Sequence, residues 1–188
     1  MLRARLKAAD PVWLPRLAAR VWLERAGHGR FAALFGERVL LVPVPGSAAA
    51  GCTPWVGERL AWCLQQLGLG AQVWPVLRRR HAVRKSAFAP AGERPSVLEH
   101  YASFAIECAT DPCERRRGCL RLTLVDDVIT RGRTVLAAAG KLREAFPEAE
   151  IRAFALLRTL RRGEVPCKLS DPREGEVRWI SGDARRAP

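Results

Sequence analysis

The sequence predicts an α/β fold in which a mostly parallel central sheet is flanked by helices. Three observations carry this reading. The chain has 188 residues, 48% of them apolar, enough to bury a core of ordinary size. Two nearly continuous apolar runs, RVLLVPVP at 38–45 and LRLTLVDDV at 120–128, have the composition of strands buried on both faces. Each is followed by a segment whose apolar residues recur at helical spacing, and strands that alternate with helices argue for parallel pairing.

Residues 1–37 read as an N-terminal helical cap or hood, 38–160 as the core and 161–188 as a C-terminal strand and tail, all in one domain. Within the hood, 12–27 form an amphipathic helix: Val12, Trp13, Leu17, Val21 and Trp22 fall at helical spacings, Pro15 is tolerated in the first turn and Gly27 is a stop. After the strand at 38–45, Thr53 and Pro54 supply a cap and a first helical position. Val56, Leu60, Leu64 and Leu67 then share one face, and Gly68 ends the helix. Residues 71–78 (AQVWPVLR) read as a second strand, with Pro75 placing it near an edge or at a bulge. The stretch 79–100, rich in Arg, Ala, Pro and Gly, reads as an irregular loop, and a loop of that length inside a compact domain is functional or mobile. Residues 101–107 (YASFAIE) alternate as one arm of a hairpin would. The strand at 120–128 leads into a helix over 134–146 through Val135, Leu136, Ala139, Leu142 and Phe146. IRAFALL (151–157) and EVRWI (176–180) complete the strands. There is no internal repeat.

The formal net charge is +13, but it is unevenly placed. Residues 1–40 hold eight basic against three acidic side chains, and 78–94 hold six against one. An excess so confined points to anionic partners at two places rather than to a uniformly solvated surface. No apolar run reaches the roughly 18 residues of a membrane span, and the N-terminus lacks the hydrophobic stretch of a secretion signal. A cytoplasmic protein without membrane contact is expected. Cys52, Cys63, Cys108, Cys113, Cys119 and Cys167 form no C-x-x-C pair and match neither a zinc ribbon nor a disulfide framework, so most read as buried thiols, with a metal site among Cys108, Cys113 and Cys119 as the lesser alternative. His28, His81 and His100 belong to no H-E-x-x-H or triad pattern.

In a parallel sheet, ligands collect at the carboxyl ends of the strands, where helix N-termini present free N–H groups. Two strand ends have suitable chemistry. Gly46 to Thr53 has the spacing of a GxxxxGK[ST] phosphate loop, yet Cys52 stands where the lysine belongs, which argues against a nucleoside triphosphatase. Small residues at Gly46 and Ser47 that let the backbone approach an anion remain, beside the plainer reading of a strand-to-helix turn. The second end, LVDDVITRGRT at 124–134, is more specific. Asp126 and Asp127 are costly to bury unless hydroxyl donors or a cation accompany them. Thr130, Arg131, Gly132, Arg133 and Thr134 follow as a turn able to wrap one phosphate at the start of a helix. In the blander alternative the aspartates cap a turn and the threonines cap a helix. A phosphate at one strand end, a second anionic group at another and a polyol held by carboxylates describe phosphoribosyl pyrophosphate.

The stretch 124–134 closely resembles the signature of type I phosphoribosyltransferases. The order of VPVP (42–45), LRRR (77–80), Lys85-Ser86, an Ala/Ser-Phe strand and LVDDVITRGRT is most similar to that of ComF-like competence-associated proteins, over roughly residues 38–160. Two features depart from that group: Gly46 to Trp55 replaces an Arg-rich segment ending in Gly-Phe-Asn, and the amino-terminal zinc-binding cysteines are absent. The resemblance implies a type I phosphoribosyltransferase-like fold with a small hood and a mobile loop. It implies that Asp126 and Asp127 are catalytic and hold the ribose hydroxyls, and that Thr130, Arg131, Gly132, Arg133 and Thr134 enclose the 5′-phosphate. Gly46 and Ser47, with Arg79 and Lys85, would bind the pyrophosphate. Mg²⁺ is the implied cofactor, bridging ribose and pyrophosphate oxygens near Asp126 and Asp127 rather than sitting in a protein cage. The implied reaction is displacement of pyrophosphate from the anomeric carbon by a nitrogen nucleophile, such as a nucleobase, with carboxylates favouring positive charge at the ribose. Arg78, Arg80 and Arg84 join Arg79 and Lys85 in the loop that would close and exclude water.

Two other readings stand beside the enzyme. A regulator would sense phosphoribosyl pyrophosphate or a nucleotide without turnover. A non-catalytic accessory of DNA uptake or processing would hold single-stranded DNA non-specifically through the two basic stretches, with Trp13, Trp22 or Trp55 as stacking surfaces. A homodimer is compatible with each.

Overall fold

The two long apolar runs pair side by side, which is how strands buried on both faces are satisfied. A computed structural model of the chain describes residues 12–29, 31–49, 54–84, 94–107, 120–160 and 172–187. Its elements are α1 (Trp13–His28), β1 (Gly36–Pro43), α2 (Val56–Gln66), β2 (Gly70–Val73), β3 (Leu77–Arg79), α3 (Val97–Ser103), β4 (Phe104–Ile106), β5 (Arg121–Ile129), α4 (Arg133–Ala145), β6 (Glu150–Arg158), β7 (Glu176–Ile180) and β8 (Asp183–Ala187). The architecture is α/β, with a four-stranded parallel sheet in the order β2-β1-β5-β6. β3–β4 and β7–β8 form two short antiparallel pairs. No helix among the described residues is long and apolar enough to cross a membrane.

Alternation along the strands divides the core into two layers. Leu40, Val42, Leu122 and Leu124 meet Val135, Ala138 and Leu142 of α4, together with Leu77, Val97 and Phe104. On the opposite face Val39, Leu41 and Phe154 meet Leu14, Ala18 and Val21 of α1 and Leu60, Ala61 and Leu64 of α2. The expected strands at 38–45, 120–128, 151–157 and 176–180 and the helix at 134–146 are all present within two residues.

Several expectations need correction. α1 buries Leu14, Ala18, Val21 and Glu24, so Val12 (48% exposed) and Trp22 (44%) lie off the core face. The helix runs past Gly27 to a left-handed Gly29, because only there does the chain need a positive φ. In α2 the N-cap is Trp55, Thr53 lies outside the described residues, and Leu67 falls after the last turn. The expected strand at 71–78 is two strands. Pro75 lacks an N–H, and around it the chain leaves the edge of the main sheet (β2) to pair with β4 as β3. Residues 97–103, expected as loop and hairpin arm, are helical because Ser96 and Glu99 close a capping box, with the Ser96 N–H donating to Glu99 Oε2 at 2.7 Å and the Glu99 N–H donating to Ser96 Oγ at 3.1 Å.

The tail also departs from expectation. A Ser181–Gly182 turn returns it as β8, and the hairpin docks on the residues that follow β5. Gly132 is required here twice over: its φ is +90°, and a Cβ would lie 2.6 Å from Cγ1 of Val177. Arg133 grips Asp183 in a two-pronged pair, Nε to Oδ1 at 2.5 Å and Nη2 to Oδ2 at 2.6 Å, and Arg131 adds a contact of 3.3 Å. The hydrogen bonds from Arg133 hold the Asp183 carboxyl down at about 2. Asp183 therefore adds stability above the ordinary aspartate range near 3.9, and that stability is lost as the pH falls towards 2. Amide hydrogen exchange across 176–187 should accelerate over this acid window, and in Asp183→Asn it should already be fast at neutral pH.

Candidate functional site

At the carboxyl edge of the sheet β1 ends opposite Val125, where the Val44 N–H donates to the Val125 carbonyl at 2.9 Å, and the neighbouring β5 runs on to Ile129. The first turn of α2 presses on this junction, since a Cβ on Gly57 would meet the carbonyl oxygens of Val125 and Val44 at 3.1 and 3.4 Å. Both candidate anion segments, 46–47 and 130–134, follow these two neighbouring strands.

Asp126 and Asp127 lie within the last turn of pleat of β5, both half-buried. The Asp127 N–H donates to Asp126 Oδ1 at 2.8 Å. Burial, then the adjacent Asp127 charge, pushes the Asp126 carboxyl well above the usual carboxylate range. Such a group favours an incoming cation or hydroxyl donor. Beyond it, Gly132 turns the chain into α4, and the Leu136 N–H donates to the Gly132 carbonyl at 2.8 Å as the helix's first bond. No side chain caps this end, so the N–H groups of its first turn face outwards from the helix with the positive end of its dipole.

Arg131 and Arg133, expected around a phosphate, are at this loop but both turn to Asp183. Arg133 also donates through Nη1 to the carbonyls of Arg94 and Pro95, each at 3.1 Å. Thr130 and Thr134 are half-buried in the same turn. Gly46 and Ser47 form the turn after β1, and a Cβ on Gly46 would meet nothing within 4 Å. Lys85 lies outside the described residues, as do Ala50 to Thr53 of the phosphate-loop-like spacing and Cys108, Cys113 and Cys119. Cys63 is a half-buried thiol whose pKa burial raises.

Arg79, expected to reach the pyrophosphate, is only 2% exposed. Its Nε donates to the Gly46 carbonyl at 2.6 Å, Nη1 donates to Ser103 Oγ, and Nη2 lies 3.5 Å from both the Pro45 carbonyl and His100 Nδ1. The guanidinium also stacks 4.3 Å from the Phe104 ring centre. Burial lowers its pKa to about 10, with the Asp126 charge opposing, so it remains a cation at neutral pH. Arg79 thus shapes the Gly46 turn from beneath, while Arg78 stacks on Trp55 at 5.7 Å.

The sequence places His100 beside the loop but gives it no partner. The residue is 3% exposed, with Nε2 3.4 Å from Thr134 Oγ1 and Nδ1 towards Arg79. Burial and the Arg79 guanidinium bring its pKa down to about 4, with Arg133 adding and Glu99 opposing. The S-x-x-E pattern at 96–99, which opens a helix carrying His100 inward, was the available signal. Next to these residues lies an open cleft of about 600 Å³ bordered by His81, Val83, Arg84, Arg94, Glu99 and Ala102. The Val83 N–H donates to the Ser47 carbonyl at 2.9 Å, which joins the cleft to the turn after β1.

Among the described residues no three His, Cys, Asp or Glu side chains converge as a metal cage. The donor set here is the Asp126–Asp127 pair, which suits Mg²⁺ that shares its coordination with water and ligand oxygens. Compared with known proteins, the sequence matches no family model and no curated protein.

Asp126→Asn keeps the shape and the acceptor for the Asp127 N–H while removing the buried like charge. Because burial raises the folded pKa of Asp126, the variant should be more stable than the parent at pH 7, and the gain should vanish at pH 3, where the carboxyl is protonated folded or unfolded. Thermal melts at the two pH values measure this.

Proposed function

We propose that the chain is a type I phosphoribosyltransferase-like protein of the ComF-like kind. It binds phosphoribosyl pyrophosphate with Mg²⁺ and transfers phosphoribose to a nitrogen acceptor, a nucleobase or similar compound, releasing pyrophosphate. The observation that carries this reading is the Asp126–Asp127 pair at the end of a parallel strand, one short turn before the uncapped start of α4. The resemblance of 124–134 to the family's signature supports it further.

In this reading the 5′-phosphate sits on the first N–H groups of α4, between the hydroxyls of Thr130 and Thr134. Arg131 and Arg133 contribute a field tempered by Asp183 rather than direct grip. Asp126 and Asp127 accept hydrogen bonds from the ribose hydroxyls and, kept ionised by the incoming cation, favour the positive charge that develops at the anomeric carbon when the bond to pyrophosphate breaks. Mg²⁺, held by Asp126 and Asp127 through ligand oxygens, would offset charge on the leaving pyrophosphate. The pyrophosphate lies over Gly46 and Ser47, whose turn Arg79 braces from the protein side. The cleft beside Ser47 has the volume a nucleobase acceptor needs.

Calorimetric titration with phosphoribosyl pyrophosphate and Mg²⁺ should show saturable binding, lost or weakened at least tenfold in Asp126→Asn/Asp127→Asn. No binding by the unaltered protein would refute the reading. Pyrophosphate release across a panel of bases then separates an enzyme, which turns over, from a sensor, which does not.

A further inference from the structure

The hydrogen-bond pattern around His100 fixes which of its nitrogens carries the proton. A guanidinium has donors only, so the Nδ1 that faces Arg79 at 3.5 Å meets an N–H and must offer its lone pair. A neutral ring then has its single hydrogen on Nε2, directed at Thr134 Oγ1 3.4 Å away. The Thr134 oxygen accepts that hydrogen, and its own O–H is left to donate elsewhere. The reverse tautomer would set N–H against N–H at Arg79 and draw the Thr134 hydrogen back into the ring. Arg79 on β3 and Arg133 on α4 both disfavour a second proton; Glu99, on His100's own helix, is the opposing carboxylate.

Arg79 is itself pinned. Its Nε holds the Gly46 carbonyl, and Nη1 holds Ser103 Oγ, which in turn donates to the His100 carbonyl at 2.6 Å. A single row of donors therefore runs from Arg79, whose other N–H groups hold the turn after β1, through His100 to the start of α4. Bonds aligned in one sense polarise one another.

We propose that His100 is the positioning residue that makes the Thr134 hydroxyl a donor towards a phosphate at the start of α4, and that through Arg79 it couples this anion site to the Pro45–Gly46 turn. The proposal rests on the phosphoribosyl pyrophosphate reading above and assigns a role to a side chain that reading does not use.

The chain has three histidines, so ¹⁵N-histidine NMR can resolve His100, assigned by the signal missing from His100→Gln. The expected spectrum shows a pyrrole-type Nε2 and a pyridine-type Nδ1, still neutral at pH 5, where an ordinary histidine titrating near 6.5 is protonated. A reversed tautomer or a protonated ring at pH 5, read on the unaltered protein, overturns the proposal. Titration with phosphoribosyl pyrophosphate and Mg²⁺ supplies the second arm. His100→Leu and Thr134→Val should each weaken binding about tenfold, and the double variant should bind no more weakly than either single one. His100→Gln, whose amide can donate to Thr134, should recover most of the loss. Additive losses, or unchanged binding by His100→Leu, overturn the proposal. Absence of binding by the unaltered protein overturns the ligand reading and the donor role together, whereas intact binding with a reversed tautomer overturns the donor role alone.

Discussion

A guanidinium enclosed by protein has to find acceptors for its N–H groups, and the way Arg79 finds them organises the carboxyl edge of the sheet. Its partners come from the turn after β1, from the end of α3 and from His100. Losing any of them would leave a buried donor unsatisfied, at about 1–3 kcal/mol or more for a charged group. β3 is short and among the described residues pairs with β4, so the anchoring of Arg79 helps register that antiparallel pair, and the α3 that runs into β4, against the main sheet. A lysine has no planar fork and would not reach all of these acceptors.

The neighbouring carboxylates follow from the same economy of charge. Asp126 sits within the field of Arg79, which moderates the cost of burial, while Asp127 beside it raises that cost again. Burial and the neighbouring Asp127 charge outweigh that attraction, so the Asp126 carboxyl is held well above the usual carboxylate range. On the far side of the loop opposite charges pair, and Asp183 meets Arg131 and Arg133 there. The C-terminal hairpin thereby becomes a wall of the site, pressing Val177 on Gly132 and fixing the turn that presents α4. Two crowded carboxylates beside a helix start that no side chain caps suit a ligand that brings a cation, hydroxyls and a phosphate together.

The parts of this arrangement that were legible in the sequence are those governed by long-range periodicity. β1, β5, β6 and α4 each present a run long enough for burial to dominate, and the Asp-Asp-to-Thr stretch stands out because two acids at the end of an apolar strand demand partners. The rest was hidden for identifiable reasons. In LRRR the alternation of a three-residue strand turns Arg79 inward and Arg78 and Arg80 outward, but three residues are too few for a pattern to be read. The polar DARRA segment carries no apolar alternation, so β8 is specified by its Ser-Gly turn and by the Arg133–Asp183 pair, a contact between residues fifty positions apart. α1 misleads because its two tryptophans suggest a core face, whereas the small Ala18 allows close packing on α2 and leaves Trp22 outside.

In the proposed reading the start of α4, framed by Asp126, Asp127 and Thr134, is a phosphate site tied to the turn after β1. A crystal structure of the protein with ribose 5-phosphate tests it most directly. The predicted result is a phosphate seated on the N–H groups of residues 132–134, within hydrogen-bond distance of the Thr134 hydroxyl, with the ribose hydroxyls at Asp126 and Asp127. A phosphate bound instead in the cleft between Arg84 and Arg94, or sugar density away from the end of β5, would contradict it.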